Sequence, residues 1–180
     1  MNNKNLSQLF LDSVVKRFKD YKILGEKTME QLNDEEMHFQ PNEESNSIAV
    51  IIQHMHGNML SRWTNFLKED GEKEWRRRDD EFEEHPFSKK ELMDKWEEGW
   101  KVFLDTLGSL GEDDLSKTIT IRSQPLDVVD AINRQMAHYS YHIGQIVYLG
   151  RWIRKDEWKS LSIPKRGSEK FNREMNQSGK

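Results

Sequence analysis

Leu6, Phe10, Val14, Tyr21, Leu24 and Thr28 recur at helical spacing along the first thirty residues, while Lys16, Lys19, Lys22 and Lys27 fall largely on the opposite side. The pattern predicts a long amphipathic helix from about 6 to 32. Polar runs at 33–36 and 41–44 then interrupt it, leaving a connection with Phe39 as its inward anchor. Asn46 or Ser47 suits the N-cap of a second helix, from about 47 to 69, whose apolar stripe is Ile48, Ile51, Ile52, Met55, Met59, Trp63 and Phe66. Residues 70–87 lose all period and carry dense charge, so they read as a long loop tethered by Trp75, Phe82 and Phe87. Ser88 followed by Glu91 forms a capping box for a third helix, buried through Leu92, Trp96, Trp100, Phe103 and Leu107 and stopping near Gly111. Period-two alternation over 115–122 predicts a short extended or hairpin segment. A fourth helix begins near Pro125 and runs to about Ile153 through Val128, Ile132, Met136, Tyr139, Ile143 and Val147. Beyond it, Trp158, Leu161 and Ile163 lie against the body.

Four long helices without an internal repeat make an all-α four-helix bundle the economical architecture. The 180 residues suit one domain, taken here as 1–172 with a frayed tail at 173–180. Composition adds little to that picture but excludes several functions. Lys and Arg number 28 against 32 Asp and Glu, a net charge of −4 with the two signs interspersed, which argues against a nucleic-acid binder. No apolar run is long enough for a signal peptide or a membrane span, so a soluble, cytoplasmic protein is expected. The chain has no cysteine, which excludes disulfides and thiolate metal sites and leaves His, Asp and Glu as the strong ligands.

Candidate chemistry concentrates in the fourth helix, where His138 and His142 stand four residues apart on one face and can reach a single ion. At about 100° per residue they fall on the flank of the apolar stripe, where a site reached from solvent belongs. The second helix offers a third imidazole, and its geometry does not choose between His54 and His56. Three neutral imidazoles with an open position are a common catalytic arrangement for zinc-like ions. No carboxylate stands at an obvious base position beside these histidines, which disfavours a hydrolase. Gln145 reads as a packing residue, and His38 and His85 as loop residues. The arginine run at 76–78 is offset by the acidic run at 79–81, so it reads as a solvated segment.

Asn46, Ser47 and Ile48 followed by His54, with His138, His142, Ile143, Gly144 and Gln145 far downstream, resemble the DinB/YfiT-like superfamily of four-helix metalloproteins over nearly the whole chain. Asp70-Gly71-Glu72-Lys73, the Arg76, Arg78, Asp79, Glu81, Phe82 group and the string from Leu161 to Lys165 look more narrowly like the DUF1572 branch of Bacillus-type proteins. The resemblance implies metal ligation by His54, His138 and His142, with His56 outside the set. It also implies an up-down-down-up bundle in which the 70–87 loop crosses between parallel second and third helices. By the same resemblance the cofactor is a divalent ion, zinc or nickel, and the partners are a small thiol such as bacillithiol and a small electrophile. The implied activity is thiol-dependent S-transfer, with a non-catalytic metal-binding or stress-response bundle as the alternative. If the loop folds over the metal, Arg76 or Arg78 would meet the carboxylates of the thiol. A homodimer is left open.

Overall fold

A computed structural model of the chain describes residues 5–178. The residues before Asn5 and the last two of the expected frayed tail lie outside the described residues. The protein is mostly helical: α1 (Leu6–Met29), α2 (Asp34–Met37), α3 (Ile48–Trp63), α4 (Lys89–Ser109), α5 (Val128–Arg154) and α6 (Ser168–Ser178), with one small hairpin of β1 (Thr118–Ile121) and β2 (Gln124–Asp127). The long helices pack in a ring, α1 on α4, α4 on α3, α3 on α5 and α5 back on α1. None of the helices is long and apolar enough to cross a membrane.

Local chemistry explains where the elements start. Asn5 accepts the Gln8 N–H at 3.0 Å, Ser47 accepts the Val50 N–H at 3.1 Å, and Ser88 and Glu91 close a reciprocal capping box. Each satisfies a donor that a helix start leaves unpaired. Between the helices, Phe18, Trp63, Trp100, Phe103 and Tyr139 form the aromatic centre, with Phe18 edge-on to Phe103 at 4.5 Å and Trp63 to Phe103 at 4.6 Å. Helix α1 comes close to α4 at Gly25, where a Cβ would sit 2.6 Å from the Trp96 ring.

Five expectations need correction. Leu6 is 83% exposed, and the buried stripe of α1 runs instead through Leu11, Val14, Phe18 and Met29. In the following connection the anchor is Met37, fully buried on α2, whereas Phe39 is 40% exposed; the Asn33–Glu36 capping box makes a helical turn that directs Met37 inward. Helix α3 ends six residues early, because Asn65 adopts the left-handed region at φ 52° and breaks the ladder before Phe66, which still stacks on Trp63 at 4.4 Å. Pro125 does not begin α5 but lies in β2, paired with Thr120, so the strand runs directly into the helix at Val128. Finally, residues 173–178, expected to fray, belong to α6, whose described side chains are all exposed.

The hairpin turns through Arg122 and Ser123, both at positive φ (54° and 59°), a conformation that costs non-glycine residues energy. Asp70 compensates it, its two carboxylate oxygens accepting the N–H groups of Arg122 and Ser123 at 2.8 and 2.7 Å. Gly71 adds a backbone bond to Thr120 at 2.8 Å, so the start of the long loop and the hairpin are fastened together.

Candidate metal centre

His54 comes from the middle of α3, and His138 and His142 from successive turns of α5 across from it. Their donor atoms all lie within 4.8 Å of one another. The Nε2 atom of His138 is 3.2 Å from the Nε2 atoms of both His54 and His142. Nitrogens bound tetrahedrally to zinc at their usual bond length stand about 3.3 Å apart, so the spacing suits a common ion. Burial, and then the charges of the neighbouring imidazoles, push the His138 and His142 rings down to about 3 and about 4. Both rings are therefore neutral at physiological pH, the form in which an imidazole can bind a metal. The donor set fits a divalent ion of the zinc or nickel type.

Each ring is also steered from behind. Glu81 Oε2 is 3.0 Å from His54 Nδ1, Gln145 Oε1 is 2.9 Å from His142 Nδ1, and the Gln135 side-chain amide is 3.0 Å from His138 Nδ1. The acceptors behind His54 and His142 favour the tautomer that leaves Nε2 free, as in metal-binding imidazoles, whereas the Gln135 N–H behind His138 orients that ring by donating to Nδ1. Gln135 in turn donates to Asn58 Oδ1 at 3.1 Å, an oxygen that also accepts the Tyr139 hydroxyl at 3.2 Å. Glu81 is gripped by Arg76 through two bonds of 2.7 and 2.8 Å, and burial, which raises a carboxyl, is outweighed by Arg76 and His54, so Glu81 stays ionised.

The 64–88 segment thus supplies structure as well as charge. Phe82 lies 4.7 Å from the His54 ring and Arg78 covers Phe82 at 5.0 Å. Trp75, expected to tether the loop, is 57% exposed; the tether is the Arg76–Glu81–His54 chain. Gly57, one turn beyond His54, is where this chain crosses α3: a Cβ there would collide with the Glu81 carboxylate. A carboxylate does stand beside the histidines, since Glu81 folds back across 27 residues, but it meets His54 at Nδ1 and is not placed as a base.

His56 points away and meets Glu98 at 2.8 Å, while His38 binds Glu84 and the Phe87 carbonyl and His85 sits near Asp80. Arg76 and Arg78, expected to hold a cofactor, both line the cleft above the histidines, but the Arg76 side chain is 2% exposed and bound to Glu81. Gln145 orients His142 rather than merely packing. Gln135 and Gln145 stand three residues before His138 and three after His142, a spacing that puts them beside those rings on α5 and could have revealed them. Asn58, four residues after His54 on α3, offered the same kind of signal, whereas Glu81 offered none.

The histidines floor a cleft of ≈ 460 Å³ that opens between α3, α5, the long loop and the hairpin. Its volume is that of a small-molecule site. Among curated proteins no match to the chain is found. A family model described as "Protein of unknown function (DUF1572)" matches residues 5–167, nearly the whole length, and the protein accordingly belongs to the DUF1572 family.

Proposed function

We propose that the chain is a divalent-metal-binding bundle of the DinB-like class, in which His54, His138 and His142 hold a zinc- or nickel-type ion. We further propose that it is a cytoplasmic, thiol-dependent S-transferase acting on small electrophiles, with a low-molecular-weight thiol of the bacillithiol type as co-substrate. The observation that carries the reading is the convergence of three imidazole nitrogens, each held from behind, at the floor of a cleft of small-molecule size. An ion bound there would supply Lewis acidity that lowers the pKa of a thiol or water at its open position. The chain does the rest: Glu81, Gln135 and Gln145 hold the rings, and Phe82 and Tyr141 line the cleft beside them. With no cysteine in the chain, a reacting sulfur comes from solution. An up-down-down-up order belongs to the same proposal and is supported by the ring of helix contacts and by the length of the 64–88 connection.

Glu81 does not revive the hydrolase reading. It faces Nδ1, the side of His54 turned away from the other imidazoles, and both of its oxygens are taken by Arg76. The test is metal analysis of the purified protein, followed by bacillithiol transfer to a generic electrophile. Stoichiometric metal and turnover are expected in the wild type, with both lost in a His138→Ala, His142→Ala variant. Unchanged metal content in that variant would overturn the reading. Metal without turnover would leave a non-catalytic metal-binding bundle as the function.

A further inference from the structure

We propose that the cleft above the three histidines is an anion-recognition site for a small molecule bearing carboxylate or phosphate groups, held by Arg78, Arg122 and Arg134. This deepens the reading of the same cleft by naming the charge class of what enters it. It stands on residues other than the histidines, so it can hold or fail separately.

Five guanidinium groups line the cleft, from Arg62, Arg76, Arg78, Arg122 and Arg134, and its lining contains no Asp or Glu. Two of the five have structural duties. Arg76 is committed to Glu81 through both of its oxygens, and Arg62 is buried on α3, bound to the Gly71 carbonyl and, at 2.9 Å, to Glu72. The other three are undersupplied with counter-charge. Among the described residues Arg122 reaches only Glu72 Oε2, the oxygen already serving Arg62, at 3.1 Å. Arg78 comes no nearer than 3.9 Å to Asp79, a side chain that is fully in solvent. Arg134 is exposed and has no ion pair among the described residues.

All three line the cleft while remaining open to solvent. Arg122 is delivered to the rim by the strained hairpin turn that Asp70 pins, and backbone strain of this kind persists where the surroundings enforce it, often at functional sites. The protein as a whole carries a net charge of −4, so the cleft opposes the sign of its own molecule. A concave, single-sign patch focuses the field and draws in ligands of opposite charge. Guanidinium groups suit carboxylate and phosphate because their parallel donors match two oxygens at once. Metal binding by three neutral imidazoles does not call for this array, since it would add positive charge to positive charge; an anionic ligand answers both.

Calorimetric titration of the purified protein with succinate, with glycerol 3-phosphate and with uncharged 1,4-butanediol tests the idea at low and at physiological ionic strength. Binding of one or both anions but not the diol is expected, weakening with salt and falling about tenfold or more in Arg134→Gln and in Arg78→Gln. Which anion binds distinguishes carboxylate from phosphate. Arg134 is exposed and unpaired among the described residues, so its substitution spares the fold. Repeating the titration on chelator-treated wild type separates the two readings, because retained anion binding there keeps the arginine site whatever becomes of the metal. Absence of anion binding in every arm, or equal affinity in wild type and both arginine variants, would overturn the proposal.

Discussion

Helix α5 carries two buried neighbourhoods side by side, built by opposite rules. Tyr139 enters a dry aromatic centre, 5.2 Å from Phe103 and 5.6 Å from Trp100, whereas His138 next to it enters a layer of histidines, amides, Glu81 and Arg76. The aromatic side leaves polar atoms unanswered: the indole N–H groups of Trp96 and Trp100 reach no acceptor. On the histidine side every imidazole Nδ1 has a partner. Apolar packing is tolerant and additive, so an orphaned N–H worth about 1–3 kcal/mol is carried by the large area around it. A polar layer is worth little unless every member is satisfied, and it is kept for what it can bind. The two meet at one atom, Asn58 Oδ1, which accepts from both Tyr139 and Gln135.

The comparison predicts how the halves separate under mutation. Phe103→Ala should destabilise the fold most, by about 3–5 kcal/mol in denaturant titration, while leaving metal content intact in the molecules still folded. Loss of metal at temperatures where Phe103→Ala remains folded would show that the neighbourhoods are not independent. Glu81→Gln should cost less stability, about 1.5–3 kcal/mol for a weakened buried bond to Arg76, yet lower metal affinity about 10- to 100-fold in competition with a chelator dye. A third, smaller effect belongs to the hairpin. Burial raises the Asp70 carboxyl, but backbone N–H groups of Glu72, Ser123 and Arg122 outweigh it and hold the group at about 2, against 3.8 when unperturbed. Its stabilisation is present above the unfolded value and vanishes as pH falls from 3.8 through 2. The advantage of wild type over Asp70→Asn should be about 1 kcal/mol at pH 6, after allowing for solvent screening, and should shrink to a small fraction of that in urea titrations taken down to pH 2.

Much of the aromatic half was legible because burial writes itself as period: the Leu92, Trp96, Trp100, Phe103 stripe lies where the spacing puts it, and the Ser88 capping box starts α4. The polar half was legible only where it sits on a helix. His138 and His142 follow from the four-residue interval, but nothing in periodicity chose His54 over His56, since nearly all of α3 is buried and its flanks carry no information. Glu81 was hidden for a different reason. It sits in an unperiodic run of charge, and a carboxylate that folds back onto an imidazole looks, along the chain, like any solvated acid. The cleft's arginines were obscured likewise: Arg62 lies inside an apolar helix, and Arg134 only gains meaning once α5 and the hairpin share a rim.

Gly57 gives this arrangement a particular vulnerability. Its missing side chain leaves the space through which the loop's carboxylate passes to His54. One added methyl group, chemically inert and on a different element, would require the Glu81 carboxylate to shift, and with it the bonds that carboxylate makes to Arg76 and His54. The support behind His54 can thus be disturbed by a substitution that alters neither a histidine nor a charge.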